Sequence, residues 1–118
     1  PLLNEVGKLI GDFTVASLSD ERFLVFGSGL ADEYHMRLFS KHLPEQSVAL
    51  HSHGLGLVGL SVAGPKSRDV LSRITMTDLS NAAFPFISFA EMKIGMIPGM
   101  VGRVNFTGDL GYEIWCRP

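Results

Sequence analysis

The chain of 118 residues contains a single cysteine, Cys116, so no disulfide can form within it. That fits a reducing compartment. No apolar run approaches the ~20 residues that a bilayer-spanning helix needs. The formal net charge is −2, and the ten Lys and Arg are scattered rather than clustered. This excludes a broad electrostatic attraction for nucleic acid or an anionic membrane surface. Repeats, low-complexity tracts and linkers are absent, so residues 1–118 read as one domain. Asn105-Phe106-Thr107 spells a glycosylation sequon and is read as chance, the expectation being a soluble intracellular protein.

Other chemistries are also missing. His51 and His53 fall on one face of an extended segment, and His35 and His42 are about two turns apart on a helix. Neither pair has a third ligand at metal-binding spacing, so no metal site is expected. No serine sits in a strained nucleophile turn, and Cys116 reads as packing. Gly54-Leu55-Gly56-Leu57-Val58-Gly59 has the spelling of a dinucleotide loop, but it runs into an apolar strand rather than a helix N-terminus. It reads as a flexible connection.

What is present is a core-forming pattern, 46% hydrophobic and 19% charged. Asp12–Leu18 and Phe23–Phe26 read as a strand pair turned at Ser19-Asp20-Glu21. Ala31–His42 has helical period and ends before Pro44. Val48–His51 reads as a short strand and Leu57–Ala63 as a largely buried one. Gly64-Pro65 then starts a second helix through Val70, Leu71 and Ile74. Phe89–Ile94 is strand-like and is followed by a turn at Pro98-Gly99. A final hairpin pairs Arg103–Phe106 with Tyr112–Trp115 across 107–111. The expected fold is α+β: an antiparallel sheet with helices on one face, a ferredoxin-like β-β-α-β-β-α core, plus a C-terminal hairpin.

Two carboxylates stand in unusual company. Asp12 opens an apolar strand, where an acid is costly unless solvated or engaged, so a water-facing edge and a working site are both open readings. Glu113 lies between Tyr112 and Ile114-Trp115, where it can act as an acceptor in an aromatic pocket. A carboxylate matches the adjacent ring N–H and exocyclic amino group of a pterin through two parallel, charge-assisted hydrogen bonds. Tyr112 and Trp115 fit either the core or a pocket wall. Arg103 reads as a structural residue, and Arg68 as packing on the second helix.

Three stretches, in order, carry a family resemblance. They are Asn4-Glu5-Val6-Gly7-Lys8 through Asp12-Phe13-Thr14-Val15, then Gly59-Leu60-Ser61-Val62-Ala63-Gly64-Pro65-Lys66-Ser67-Arg68, then Arg103-Val104-Asn105-Phe106-Thr107-Gly108-Asp109-Leu110-Gly111-Tyr112-Glu113-Ile114. Across nearly its whole length the chain resembles the folate-binding domain of the glycine-cleavage T-protein (aminomethyltransferase) family. Gly27-Ser28-Gly29, Glu33-Tyr34-His35-Met36 and Ser80–Phe86 bring it nearer the folate domains of dimethylglycine and sarcosine dehydrogenases.

The resemblance implies tetrahydrofolate as cofactor and transfer of a one-carbon unit to its N5 and N10 nitrogens. The donor is an aminomethyl group on lipoate, or an iminium or formaldehyde equivalent from an oxidised N-methyl amine. Asp12 is then the catalytic acid near the folate amines, Glu113 grips the pterin, and Phe106 and Tyr112 stand beside the cofactor. Phe106 replaces a tyrosine of many members, keeping stacking but not a hydroxyl contact. Gly27 replaces an asparagine of the T-protein, and Asp109 a glutamate. The implied partners are the small-molecule folate and a one-carbon donor, and FAD enters only through a domain outside residues 1–118. The implied compartment is the cytoplasm, or the mitochondrial matrix in a eukaryote. Both ends look cut, giving the central part of a domain whose pocket is completed upstream and downstream, so weak or no folate binding is expected of residues 1–118 alone. The alternative is a folate-binding or regulatory module of the same fold that has lost the chemistry. The iron–sulfur maintenance relative is set apart by a cysteine-containing motif, in whose place this chain has Arg103–Glu113.

Overall fold

Short β-prone segments dominate the first part of the chain in the computed structural model, which describes residues 1–44 and 46–118. Leu2–Leu3 (β1) pairs antiparallel with Leu9–Gly11 (β2). The Asn4 side chain closes the link, its Oδ1 accepting from the N–H of Val6 at 3.2 Å and of Lys8 at 2.8 Å. Thr14–Ser19 (β3) and Arg22–Phe26 (β4) form the expected antiparallel hairpin, with Val15 opposite Val25 and Ser17 opposite Phe23. Asp32–His42 (α1) carries Asp32 and Glu33 in its first turn and Lys41 and His42 in its last, each complementing the helix dipole.

His35 of α1 is buried and donates from Nε2 to the Ile10 carbonyl at 2.9 Å. The Phe13 ring meets His35 edge-on at 4.8 Å and Phe39 at 5.4 Å. Phe13 lies against Gly11 and Gly27, where added Cβ atoms would fall 2.7 Å and 2.6 Å from its ring. Gly27 is thus needed for this packing.

The chain packs as two units, Pro1–Gly54 and Leu55–Pro118. The second contains Val58–Ala63 (β5), Ser67–Leu71 (α2), Phe89–Ile94 (β6), Ile97–Gly102 (β7) and Gly111–Cys116 (β8). These strands form one antiparallel four-stranded sheet in the order β5-β8-β7-β6. One face carries the core: Met92, Val101, Tyr112 and Ile114 pack with Leu71 of α2, Leu79 and Phe84.

An antiparallel, mixed α and β chain is therefore correct, but several details differ from expectation. Among the described residues the strands divide into three sheets of two, two and four strands, not one ferredoxin-like sheet. Residues 48–51 pair with no described strand; the run Val48-Ala49-Leu50 leaves Val48 half exposed and gains no ladder. Strand β5 lies at the sheet edge, beside β8 alone, so it is mostly exposed rather than buried. Helix α2 ends at Leu71 and tightens into three-residue turns, Arg73 N–H to Val70 O and Ile74 N–H to Leu71 O.

The final hairpin is also shifted. Strand β8 pairs with Gly99–Gly102 of β7, while residues 103–110 form a loop. The chain reverses at Gly95-Met96, with Gly95 at φ 60°, and Pro98 lies inside β7. Pro98 is tolerated because β8 pairs with β7 only from Gly99 onward, so on that side no ladder bond is asked of it.

Candidate functional site

Alternation along β8 sends Tyr112 and Ile114 to the core and Glu113 and Trp115 to the opposite face. Strand register then sets Glu113 between Ser61 of β5 and Gly102 of β7. Gly102 is paired in turn with Phe89 of β6, which shares this face. The Phe89 ring lies over Gly102, where an added Cβ would collide with it, and the Trp115 indole lies over Gly59, whose added Cβ would be 3.2 Å from Nε1. The two rings stack at 5.9 Å with 23° between their planes.

Beside this aromatic pair, Glu113 is partly buried, and desolvation pushes its carboxyl above the ordinary 4.5. Among the described residues no donor or cation engages that carboxylate. A partly desolvated acceptor with no partner, beside stacked rings on a glycine-bearing sheet face, is suited to a flat ligand that offers paired N–H donors.

The loop leading into β8 is held by its own side chains. Asn105 Nδ2 donates to Asp109 O at 2.5 Å, and its Oδ1 accepts from Gly108 N–H at 2.9 Å. The Leu110 carbonyl accepts from Ser67 Oγ at 3.0 Å and from Gly64 N–H at 2.8 Å, fixing the loop's end to the start of α2. Phe106 stands fully exposed on this loop. Tyr112, expected beside the cofactor, is wholly buried on the face away from Glu113 and receives a hydrogen bond from Arg68. Arg68 therefore reaches inward instead of merely lying along the helix. Arg103 donates from Nη1 to Phe84 O at 2.8 Å, while its buried Nε has no partner among the described residues. The expected hairpin strand at Arg103 is not formed, and its guanidinium instead ties the start of this loop to Phe84.

In the first unit Asp12 lies in the link between β2 and β3 and is 81% exposed. This unit also has a cavity of about 550 Å³, lined mainly by Leu3, Val6, Ile10, Tyr34, Leu38 and Phe39. Asp12 is not among its lining residues.

The structure thus sets Glu113 in a defined surface with Phe89, Trp115, Gly102 and Ser61, of which the sequence had tied only Trp115 to it. Their alternation within apolar strands was visible, but their register was not. His51 and His53 meet edge-on at 5.5 Å, yet no group of three or more His, Cys, Asp or Glu that could hold a metal occurs among the described residues. Among the same residues no helix is long and apolar enough to cross a membrane.

Comparison with known proteins gives a consistent picture. The sarcosine oxidase subunit alpha of Rhizobium meliloti is 31% identical over 121 residues, covering 96% of this chain and 12% of that protein. The mitochondrial dimethylglycine dehydrogenase of Homo sapiens is 28% identical over 120 residues, covering 98% of the chain and 14% of the relative. The aminomethyltransferase of Thermoanaerobacter pseudethanolicus is 30% identical over 114 residues, covering 97% of the chain and 31% of the relative. The chain therefore spans less than a third of these relatives. The profile of the GCVT N-terminal domain matches residues 1–118, the whole length, and the chain belongs to that family.

Proposed function

We propose that this chain takes part in tetrahydrofolate-dependent one-carbon transfer, with Glu113 of the second unit as a pterin acceptor and Asp12 of the first unit as a catalytic acid. The observation that supports it best is the state of Glu113: partly buried, raised in pKa by desolvation alone, and unpartnered among the described residues. Such a carboxylate lacks the hydrogen bonds that normally offset burial. The pterin's adjacent ring N–H and amino group supply two at once, so the residues present fit this cofactor.

Tetrahydrofolate, when bound, supplies the N5 and N10 amines that accept the one-carbon unit. The chain's own part is binding, orientation and charge. Glu113 fixes the heterocycle in its plane, and Phe106, exposed on the 103–110 loop, offers a further apolar surface to it. Asp12 is accessible, and its carboxylate stabilises positive charge that develops during transfer and handles the associated proton. The relatives named for sarcosine and dimethylglycine point to an oxidised N-methyl amine as the donor, and the flavin for that oxidation belongs outside residues 1–118.

The test is made in the native full-length protein. Glu113→Gln is expected to weaken tetrahydrofolate binding by about tenfold or more in calorimetric titration, because an amide cannot accept both donors. Asp12→Asn is expected to retain binding and to lower folate-dependent turnover by about a hundredfold. Unchanged turnover would remove Asp12 from the mechanism, and unchanged affinity would remove Glu113.

A further inference from the structure

Asp12 stands on a short link whose position its own carboxylate does not set. No side chain among the described residues is hydrogen-bonded to that carboxylate, so its direction follows from the backbone on either side. Upstream, the β1–β2 ladder sets Leu2 opposite Gly11 and Leu3 opposite Leu9, and Ile10 is the extra residue of a bulge, with no partner across the ladder. The Ile10 carbonyl is held instead from α1, by the 2.9 Å hydrogen bond that His35 donates from Nε2. Downstream, the Phe13 ring meets the same imidazole edge-on at 4.8 Å, before Thr14 enters the β3–β4 ladder opposite Phe26. His35 is only 5% exposed, with the rings of Tyr34 at 5.4 Å and Phe39 at 6.4 Å. The approach is close enough to demand glycine: a Cβ at Gly11 would fall 2.9 Å from His35 Nε2 and 2.7 Å from the Phe13 ring. One buried side chain thus grips the link two residues before Asp12 and one residue after it.

We propose that His35 is a positioning residue for Asp12: its imidazole, bonded to the Ile10 carbonyl and packed on the Phe13 ring, fixes the backbone that carries the Asp12 carboxylate. The inference rests on the reading of Asp12 as the catalytic acid and adds to it a residue that the reading does not need. The Asp12 side chain is 81% exposed, and water gives it no fixed direction. A carboxylate that stabilises developing charge and handles a proton must be held to within a fraction of an ångström, so a rigid support is worth a large factor in rate. A buried histidine suits that task. Its N–H donates away from water, where a hydrogen bond is stronger and an unmet carbonyl is costly. Its flat ring packs on Phe13 at the same time.

The experiment measures folate-dependent turnover and tetrahydrofolate affinity in the native full-length protein, with circular dichroism checking that each variant folds. His35→Met and His35→Gln are close in shape, and only the glutamine offers an N–H to the Ile10 carbonyl. His35→Met is expected to lower kcat on the order of tenfold while the calorimetric Kd for tetrahydrofolate stays within about threefold. His35→Gln is expected to bring kcat back to within about threefold of the unaltered protein. The decisive arm repeats His35→Met together with Asp12→Asn. If the histidine acts through Asp12, its loss there changes kcat by less than about twofold. Should His35→Met not fold, Phe13→Leu loosens the downstream grip and leaves the histidine bond in place. It is expected to lower kcat on the order of tenfold, again only while Asp12 is present.

Unchanged kcat in His35→Met, equal losses with and without Asp12→Asn, or no recovery by His35→Gln would overturn the positioning role and leave Asp12 as the acid. A Phe13→Leu loss that persists in full beside Asp12→Asn would do the same. If Asp12→Asn by itself leaves turnover unchanged, the reading of Asp12 falls and the role of His35 falls with it.

Discussion

Arg68 reaches from α2 to the hydroxyl of Tyr112, donating its Nε–H at 3.1 Å while Nη2 donates to Asn81 Oδ1 at 2.6 Å. Tyr112 is wholly buried, with its ring parallel to Phe84 at 6.3 Å, so the strand that presents Glu113 on one face is locked to the helix on the other. The rigid back of β8 is what gives the carboxylate a defined position.

Tyr112→Phe keeps this ring and removes only the acceptor of the Arg68 N–H. It is expected to lower stability by about 1–2 kcal/mol, the usual cost of leaving one partner unsatisfied in a part-buried pair. Tyr112→Ala also empties the core beside Leu71 and Val101 and is expected to cost about 3–5 kcal/mol. Urea denaturation followed by circular dichroism distinguishes the two. Equal losses would mean that the hydroxyl, not the ring, holds β8 in place.

Glu113 sets a pH dependence whose sign follows from its raised carboxyl. The folded state resists ionisation more than the unfolded chain does. The favourable contribution is therefore complete below the ordinary 4.5 and is lost as pH rises through the higher folded value. Glu113→Gln should flatten that decline and leave stability at neutral pH equal or better by well under about 1 kcal/mol, since solvent still reaches the group. Tetrahydrofolate affinity should run the other way, rising over the same interval as the carboxylate forms. Thermal melts and titrations across pH 4 to 7 (about 2–3 units around the ordinary carboxyl value) read both trends together.

Local pattern carried the sequence a long way. The β3–β4 hairpin and helix α1 were legible because alternation, turn residues and terminal charges all agreed. Glu113 was singled out by its company of large apolar neighbours. Its true surroundings were not legible, because they depend on which strands pair and in what register. The Arg103–Phe106 stretch has strand-like composition, yet the Asn105 hydrogen bonds fold it into a loop and move the pairing back to Gly99–Gly102. That shift brings Gly102, and with it Phe89, next to the acid. Tyr112 and Glu113 are adjacent in sequence, and only the position of the core decides which of them faces a ligand.

The loop clip can be tested as a coupled pair. Gly111 is buried, and an added Cβ would collide with the Asn105 side chain that holds 105–109 together. Gly111→Ala is expected to cost about 1–3 kcal/mol through overpacking, and Asn105→Ala about 1–2 kcal/mol through lost hydrogen bonds. The double variant should cost less than the sum, because removing Asn105 makes room for the new methyl. Strict additivity in a double-mutant cycle by chemical denaturation would show that the two positions act independently.

Ile87 is the one non-glycine residue with a positive φ among the described residues, at 64°, a conformation that a β-branched side chain adopts only under constraint. The constraint is visible in the backbone: Ile87 N–H donates to Arg103 O at 3.1 Å, and Arg103 N–H to Ser88 O at 2.8 Å. These bonds carry the β6–β7 ladder beyond Phe89 and Gly102, and the left-handed turn is what brings the Ile87 amide into line. The side chain is 65% exposed, so little burial is lost if it is removed. Ile87→Gly is therefore expected to raise stability by about 0.5–1 kcal/mol, the left-handed penalty less the extra freedom glycine has when unfolded. Ile87→Val, equally branched, should change it by less than about 0.5 kcal/mol. Urea midpoints of both variants decide the matter. A loss of stability in Ile87→Gly would mean that contacts of the isoleucine side chain outweigh the strain of its backbone.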